Sequence, residues 1–142
     1  MSQREVILLL GSNLGDREKN LLRATEKIET NIGNIIKKSK IMETKPLEFG
    51  SLNNFLNFAL QIVTSFSPIR LLQEIKKIEK SMGRTSDSSV KGIYEDRVID
   101  IDIVKFSNIK FRSEKLEIPH IKHLYDRVFS KKLIDEIEHK IT

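Results

Sequence analysis

The chain has 142 residues, 39% hydrophobic and 32% charged, which is the profile of a soluble globular protein, expected to form a single domain over residues 1–142. It contains no cysteine, which excludes a disulfide framework or a thiolate metal site and suits a reducing cytoplasm, the expected location. The net charge of +5 favours an anionic partner such as a phosphorylated metabolite, a nucleic acid or an acidic lipid, but no aromatic-basic interleaving of the RNA-recognition kind is present.

The run from Arg4 to Leu10, ended by Gly11, predicts a buried strand. Its apolar part, Val6 to Leu10, is too short to cross a bilayer and lacks a signal-peptide cleavage pattern. Ser12-Asn13-Leu14-Gly15-Asp16 reads as a turn, and Asp16 can cap the helix that follows, whose apolar stripe is Leu21, Leu22, Ala24, Ile28 and Ile32. Asn34 to Glu43 alternates and predicts a second strand. Thr44 to Asn54, with Pro46 and Gly50, predicts a loop, and Phe55 to Thr64 a third strand. Ser67-Pro68 starts a second helix that runs to about Met82 and ends at Gly83. Arg84 to Asp96 is polar and unpatterned, and a loop of this length bracketed by Gly83 and Gly92 has the makings of a lid. A fourth strand follows, then a turn at Ser107-Asn108 and a short helix near Ser130 to Lys140. The order β-α-β-β-α-β plus a tail predicts an α+β, ferredoxin-like sandwich with a C-terminal extension.

The fourth strand carries Arg97-Val98-Ile99-Asp100-Ile101-Asp102. Side chains alternate across a strand, so Asp100 and Asp102 share one face, about 7 Å apart, while Ile99, Ile101 and Ile103 point into a core. Such a pair suits a hard divalent cation whose other ligands are phosphate oxygens, with Arg97 as a fork-shaped phosphate donor. It equally suits a strand whose outer face is simply wetted by two acids.

Taken together, Gly11-Ser12-Asn13-Leu14-Gly15-Asp16, Glu43-Thr44-Lys45-Pro46-Leu47, Phe55-Leu56-Asn57, Arg97-x-x-Asp100-x-Asp102 and Ile118-Pro119-His120, with Arg127 and Phe129 beyond, resemble the 6-hydroxymethyl-7,8-dihydropterin pyrophosphokinases of folate biosynthesis. The resemblance covers nearly the whole chain. It implies a ferredoxin-like core and transfer of pyrophosphate from ATP to the pterin hydroxymethyl group with release of AMP. It also implies two Mg²⁺ ions and no further cofactor. By the same resemblance, Asp100 and Asp102 hold the metal, and with Arg97 form the catalytic set. Phe55 and Phe129 sandwich the pterin, while Asn57, Thr44 and Leu47 contact its edge. Arg84, Arg97, His120, Arg127, Glu79 and Ile103 serve ATP. Ser12 and Asn13 shape a loop rather than a phosphate cradle, since no GK[ST] follows. ATP and the pterin are the expected partners, with no nucleic acid or membrane, and a monomer is expected.

The chain departs from the family pattern before the acid pair. Tyr94-Glu95-Asp96-Arg97 stands where Trp-Gly-Pro-Arg is frequent, so Glu95 and Asp96 are expected to bring negative charge near the phosphates. Lys115 stands where an arginine is common. Two rival readings remain at this stage. A basic nucleic-acid module would leave Asp100 and Asp102 repelling the ligand. A metal-dependent nucleotidyltransferase would release pyrophosphate rather than AMP.

Overall fold

A computed structural model of the chain describes residues 3–45, 53–83, 96–120 and 127–139. Along the chain it forms β1 (Arg4–Ser12), α1 (Arg17–Asn31), β2 (Asn34–Lys38), β3 (Met42–Thr44), β4 (Phe55–Thr64), α2 (Pro68–Ser81), β5 (Asp100–Phe106), β6 (Phe111–Arg112), β7 (Glu117–Ile118) and α3 (Val128–His139). The main sheet is antiparallel in the order β2-β4-β1-β5, with β3 also paired to β4, while β6 and β7 form a separate hairpin. This is the ferredoxin-like α+β arrangement expected from the order of elements.

The five consecutive apolar residues of β1 serve two cores. Val6, Leu8 and Leu10 pack with Leu21, Ala24 and Ile28 of α1 and Leu71, Ile75 and Ile78 of α2. Ile7 and Leu9 face the other way, onto Leu133, Ile134 and Ile137 of α3. A strand covered on both faces needs no polar alternation, and each such side chain contributes about 1.5–3 kcal/mol by burial. Both expected helix starts are present. Asp16 Oδ1 accepts the Lys19 N–H (3.2 Å) and Ser67 Oγ accepts the Arg70 N–H (3.1 Å). Gly83, at φ +111°, provides the left-handed residue that closes α2.

Several expectations need correction. β1 does not stop before Gly11 but pairs on through Ser12, opposite Leu56. The expected second strand is two strands, because at Ser39 a side chain enters the ladder. Its N–H donates to the Ala59 carbonyl (2.9 Å) while its Oγ accepts the Ala59 N–H (2.8 Å). Leu22, assigned to the buried stripe of α1, is 56% exposed. Thr25 is buried instead and satisfies its hydroxyl on the Leu21 carbonyl (2.8 Å). The last helix begins two residues earlier than expected, and the β6–β7 hairpin was not anticipated.

A bulge adjusts the register of β5. Leu8 pairs with Ile103 but Ile7 pairs with Lys105, leaving Val104 as the extra residue. Val104 and Lys105 therefore both serve the α3 side. Val104 joins that core and Lys105 Nζ meets Glu138 of α3.

Candidate active site

The register sets the site. Asp100 lies beside Gly11, which lies beside Asn57 on β4, and Asp102 lies beside Leu9, which lies beside Ala59. Residues opposite one another across a sheet share a face, so both acids share one face, as the alternation predicted, and that face is the α3 side. Ile99, Ile101 and Ile103 are at most 4% exposed in the core beneath. α3 covers only part of this face, over Ile7, Leu9, Ala59 and Val104. Beside it lies an open cleft. Thr44, Phe55 and Asn57 line it from β3 and β4, Asp100 and Asp102 from β5, Leu9, Leu10 and Gly11 from β1, Phe129 from the start of α3 and Arg127 from the residue before it.

Asn57 is 5% exposed, and its Nδ2 donates to Thr44 Oγ1 (2.8 Å), which fixes both side chains across the β3–β4 pair. Gly11 makes this possible. A Cβ there would lie 2.8 Å from Asn57 Oδ1 and 3.3 Å from a Phe55 ring carbon. The bare strand lets an amide and an aromatic ring lie low over the sheet. Gly11 is the lining residue that sequence reasoning missed, having been taken as a terminator. The available signal was a glycine at the end of a strand otherwise covered on both faces, which marks close approach. Phe55 comes from the first position of β4 and Phe129 from the first turn of α3, both half-buried.

On the acidic side, the Arg97 guanidinium donates to Asp100 Oδ1 (NH1 to Oδ1, 3.0 Å), with the two side chains 14% and 27% exposed. Arg97 is held through its backbone. Its N–H donates to Asn13 Oδ1 (2.6 Å) and its carbonyl accepts the Asn13 N–H (3.0 Å). Asn13 is 1% exposed, so the turn after β1 is a buried anchor for the approach to β5. Asp96 was expected to bring charge toward the phosphates. Its Oδ1 instead accepts from Asn13 Nδ2 (2.8 Å) and its Oδ2 from Asn53 Nδ2 (2.8 Å).

Three nucleotide candidates lie elsewhere. Glu79, near the end of α2, is 2% exposed; its Oε2 accepts the Ile101 N–H (2.9 Å) and its Oε1 lies 3.4 Å from Lys76 Nζ. Since β5 ends the sheet order, this carboxylate stands where a neighbouring strand's carbonyl would be. The Ile103 side chain is 3% exposed in the core. Its backbone groups point as those of Ile101 do, to the outer edge of β5. His120 is half-buried at that same edge, its N–H donating to the Val104 carbonyl (2.8 Å). Leu47, Arg84, Tyr94 and Glu95 lie outside the described residues, as does most of the expected lid. Lys115 is exposed.

Among the described residues no group of three or more histidine, cysteine or carboxylate side chains is placed to hold a metal. Two carboxylates on one face of a rigid strand, at a cleft able to admit phosphate oxygens, fit Mg²⁺, which takes few protein ligands and completes an oxygen octahedron from water and substrate.

The chain is thus a ferredoxin-like α+β protein whose cleft brings aromatic, amide and paired carboxylate side chains together. Comparison with known proteins makes the class specific. Residues 7–139 match the family model described as 7,8-dihydro-6-hydroxymethylpterin-pyrophosphokinase (HPPK), and the chain belongs to this family. It is 41% identical over 116 residues to the 2-amino-4-hydroxy-6-hydroxymethyldihydropteridine pyrophosphokinase of Porphyromonas gingivalis, covering 81% of this chain and 78% of that protein. It is 35% identical over 123 residues to the enzyme of the same name from Bacillus subtilis, covering 86% and 71%. Among solved structures, it superposes on Plasmodium falciparum HPPK-DHPS with pteroate at a TM-score of 0.71 and 17% identity, over 96% of this chain. The chain spans 39% of that longer polypeptide, and at this identity the likeness concerns the fold alone. The chain is accordingly a pyrophosphokinase of folate biosynthesis, transferring pyrophosphate from ATP to 6-hydroxymethyl-7,8-dihydropterin.

Proposed function

We propose that this cleft is the place of the transfer and that its two walls divide the substrates. The observation that carries the reading is the shared face. Thr44, Phe55, Asn57 and Phe129 and the acids Asp100 and Asp102 line one cavity, although they come from β3, β4, β5 and α3.

Phe55 and Phe129 offer π faces to the pterin ring. Asn57, oriented by Thr44, supplies edge hydrogen bonds that set which way the hydroxymethyl group points. Leu47, outside the described residues, is assigned a pterin contact. Asp100 and Asp102 are assigned two Mg²⁺ ions, which when bound supply charge neutralisation to the phosphates. Arg97, whose guanidinium donates to Asp100 Oδ1, is assigned to the ATP phosphates as a fork-shaped donor. Arg127 lines the cleft and is assigned to ATP together with Arg84, His120 and Ile103, the last through its backbone. Glu79 serves the nucleotide indirectly, by bracing β5. In the transfer, the hydroxymethyl oxygen bonds to the β-phosphorus and loses its proton, the bridging bond between the α- and β-phosphates breaks, and AMP leaves. Such chemistry rests on positioning and electrostatics, and no residue is assigned as a general base.

The reading takes the chain 1–142 as one domain acting as a monomer in the cytoplasm, with no nucleic-acid or membrane partner. No helix among the described residues is long and apolar enough to cross a membrane. The test is an assay of AMP release dependent on both Mg²⁺ and the hydroxymethyl-dihydropterin. Asp100→Ala and Asp102→Ala should each reduce turnover by at least about a hundredfold, with thermal unfolding little changed because neither side chain belongs to a core. Near-normal turnover in either variant removes its metal assignment, and release of pyrophosphate instead of AMP favours nucleotidyl transfer.

A further inference from the structure

Asp96 is not among the side chains lining the cleft. It nonetheless makes two carboxylate hydrogen bonds, to Asn13 Nδ2 and to Asn53 Nδ2, both 2.8 Å. Asn13 uses its whole amide. Nδ2 also donates to the Asn53 carbonyl (3.2 Å), and Oδ1 accepts the N–H of Arg97 (2.6 Å). A neutral asparagine side chain has two donors and an acceptor, so a buried one whose three groups all bond across the chain is held in a single orientation. Three distant stretches, the turn after β1, the approach to β4 and the approach to β5, meet at this point. The residue it holds directly is Arg97, whose guanidinium lies on Asp100.

The Asp96 carboxylate accepts from both amides, and charge-assisted bonds of this kind are stronger than neutral ones. The negative charge that the sequence introduces beside the phosphate-binding residues is thereby turned onto two amide donors.

We propose that Asp96 is a positioning residue for the transfer, fixing Arg97 over Asp100 through Asn13 and Asn53. The proposal rests on the assignment of Arg97 and Asp100 to the nucleotide and metal side of the cleft. Groups that orient ligands from outside the contact layer change affinity or rate by about 10–100-fold when removed.

The test compares Asp96→Ala and Asp96→Asn in the full chain. Alanine removes both acceptors and is expected to lower kcat/KM for MgATP by about tenfold or more. The pterin dissociation constant, read by fluorescence titration without nucleotide, should stay within about twofold, because β3, β4 and α3 place the pterin wall and the change there is under 0.5 kcal/mol. Asparagine keeps one acceptor for Asn13, and the exposed Asn53 amide can rotate to meet it, so this variant should recover most of the loss. Unchanged MgATP kinetics in Asp96→Ala overturns the proposal. So does an equal loss of pterin binding, which would mark a purely structural residue. Retained pterin binding also certifies that the variant is folded. If Asp100→Ala is inactive while Asp96→Ala is normal, only the positioning role fails. If Asp100→Ala is active, the metal-side assignment beneath it fails.

Discussion

Gly11 carries more of the site than its lack of a side chain suggests. It is in register with both Asn57 and Asp100, at the seam between the aromatic-amide wall and the acids. In Gly11→Ala the new methyl would fall 2.8 Å from Asn57 Oδ1, closer than any relaxed contact, so the amide must move. Asn57 can move only by giving up its bond to Thr44. The expected result is a roughly tenfold weaker pterin affinity, equivalent to about 1.4 kcal/mol, with an overpacking cost to stability of about 1–2 kcal/mol. Fluorescence titration with a pterin analogue and urea unfolding measure the two effects separately. Wild-type pterin affinity in this variant would place the ring away from Gly11.

At the scale of elements, β5 carries the acids at the edge of the sheet, where every second backbone pair faces outward. The buried Glu79 carboxylate serves one of those pairs, at Ile101, between the two aspartates. Glu79→Ala leaves that buried N–H without its acceptor and should cost about 1–3 kcal/mol of stability. Glu79→Gln keeps a carbonyl oxygen for the N–H and should recover a large part. A nucleotide ligand would behave otherwise, with Glu79→Gln raising KM for MgATP and leaving the urea midpoint unchanged. This residue also illustrates what the sequence could express. Strands and helices were legible because burial imposes periods of two and 3.6, and the Asp-Ile alternation of β5 placed both acids on one face correctly. Glu79 looked like a solvated helix position because its partner is a backbone N–H, which has no residue-type signature. The Asn13–Asp96 bond joins residues 83 positions apart, and a lone polar pair has no period to betray it. The break in the second strand was hidden for a similar reason, since Ser39 replaces one backbone group with its hydroxyl while the alternation runs on past it.

For the whole molecule, the decisive feature is that the sheet's central strands are covered by α1 and α2 on one face and only in part by α3 on the other. The continuous apolar run of β1 demanded a cover on both faces, but nothing local said that the last helix would provide the second one. α3 has a narrow stripe, Leu133, Ile134 and Ile137, all at most 1% exposed, over Ile7, Leu9, Ala59 and Val104. Its first turn and the residue before it bring Phe129 and Arg127 to the cleft. One packing contact therefore both closes the smaller core and sets a wall of the site. Leu133→Ala tests this dual role. Truncating a fully buried leucine should cost about 2–5 kcal/mol, depending on how far the helix settles into the void. Settling shifts Phe129 relative to Phe55, whereas Phe55, Asn57 and Thr44 stay fixed by β3 and β4. Under conditions where the variant remains folded, pterin affinity should fall several-fold, and the kcat of pterin-saturated enzyme should fall less. Addition of pterin should also raise the unfolding midpoint of the variant by less than it raises that of the parent chain, because weaker binding contributes less linkage stabilisation at the same concentration. An unaltered pterin-induced shift, alongside the lowered midpoint, would mean that α3 stabilises the sheet without shaping the pterin wall.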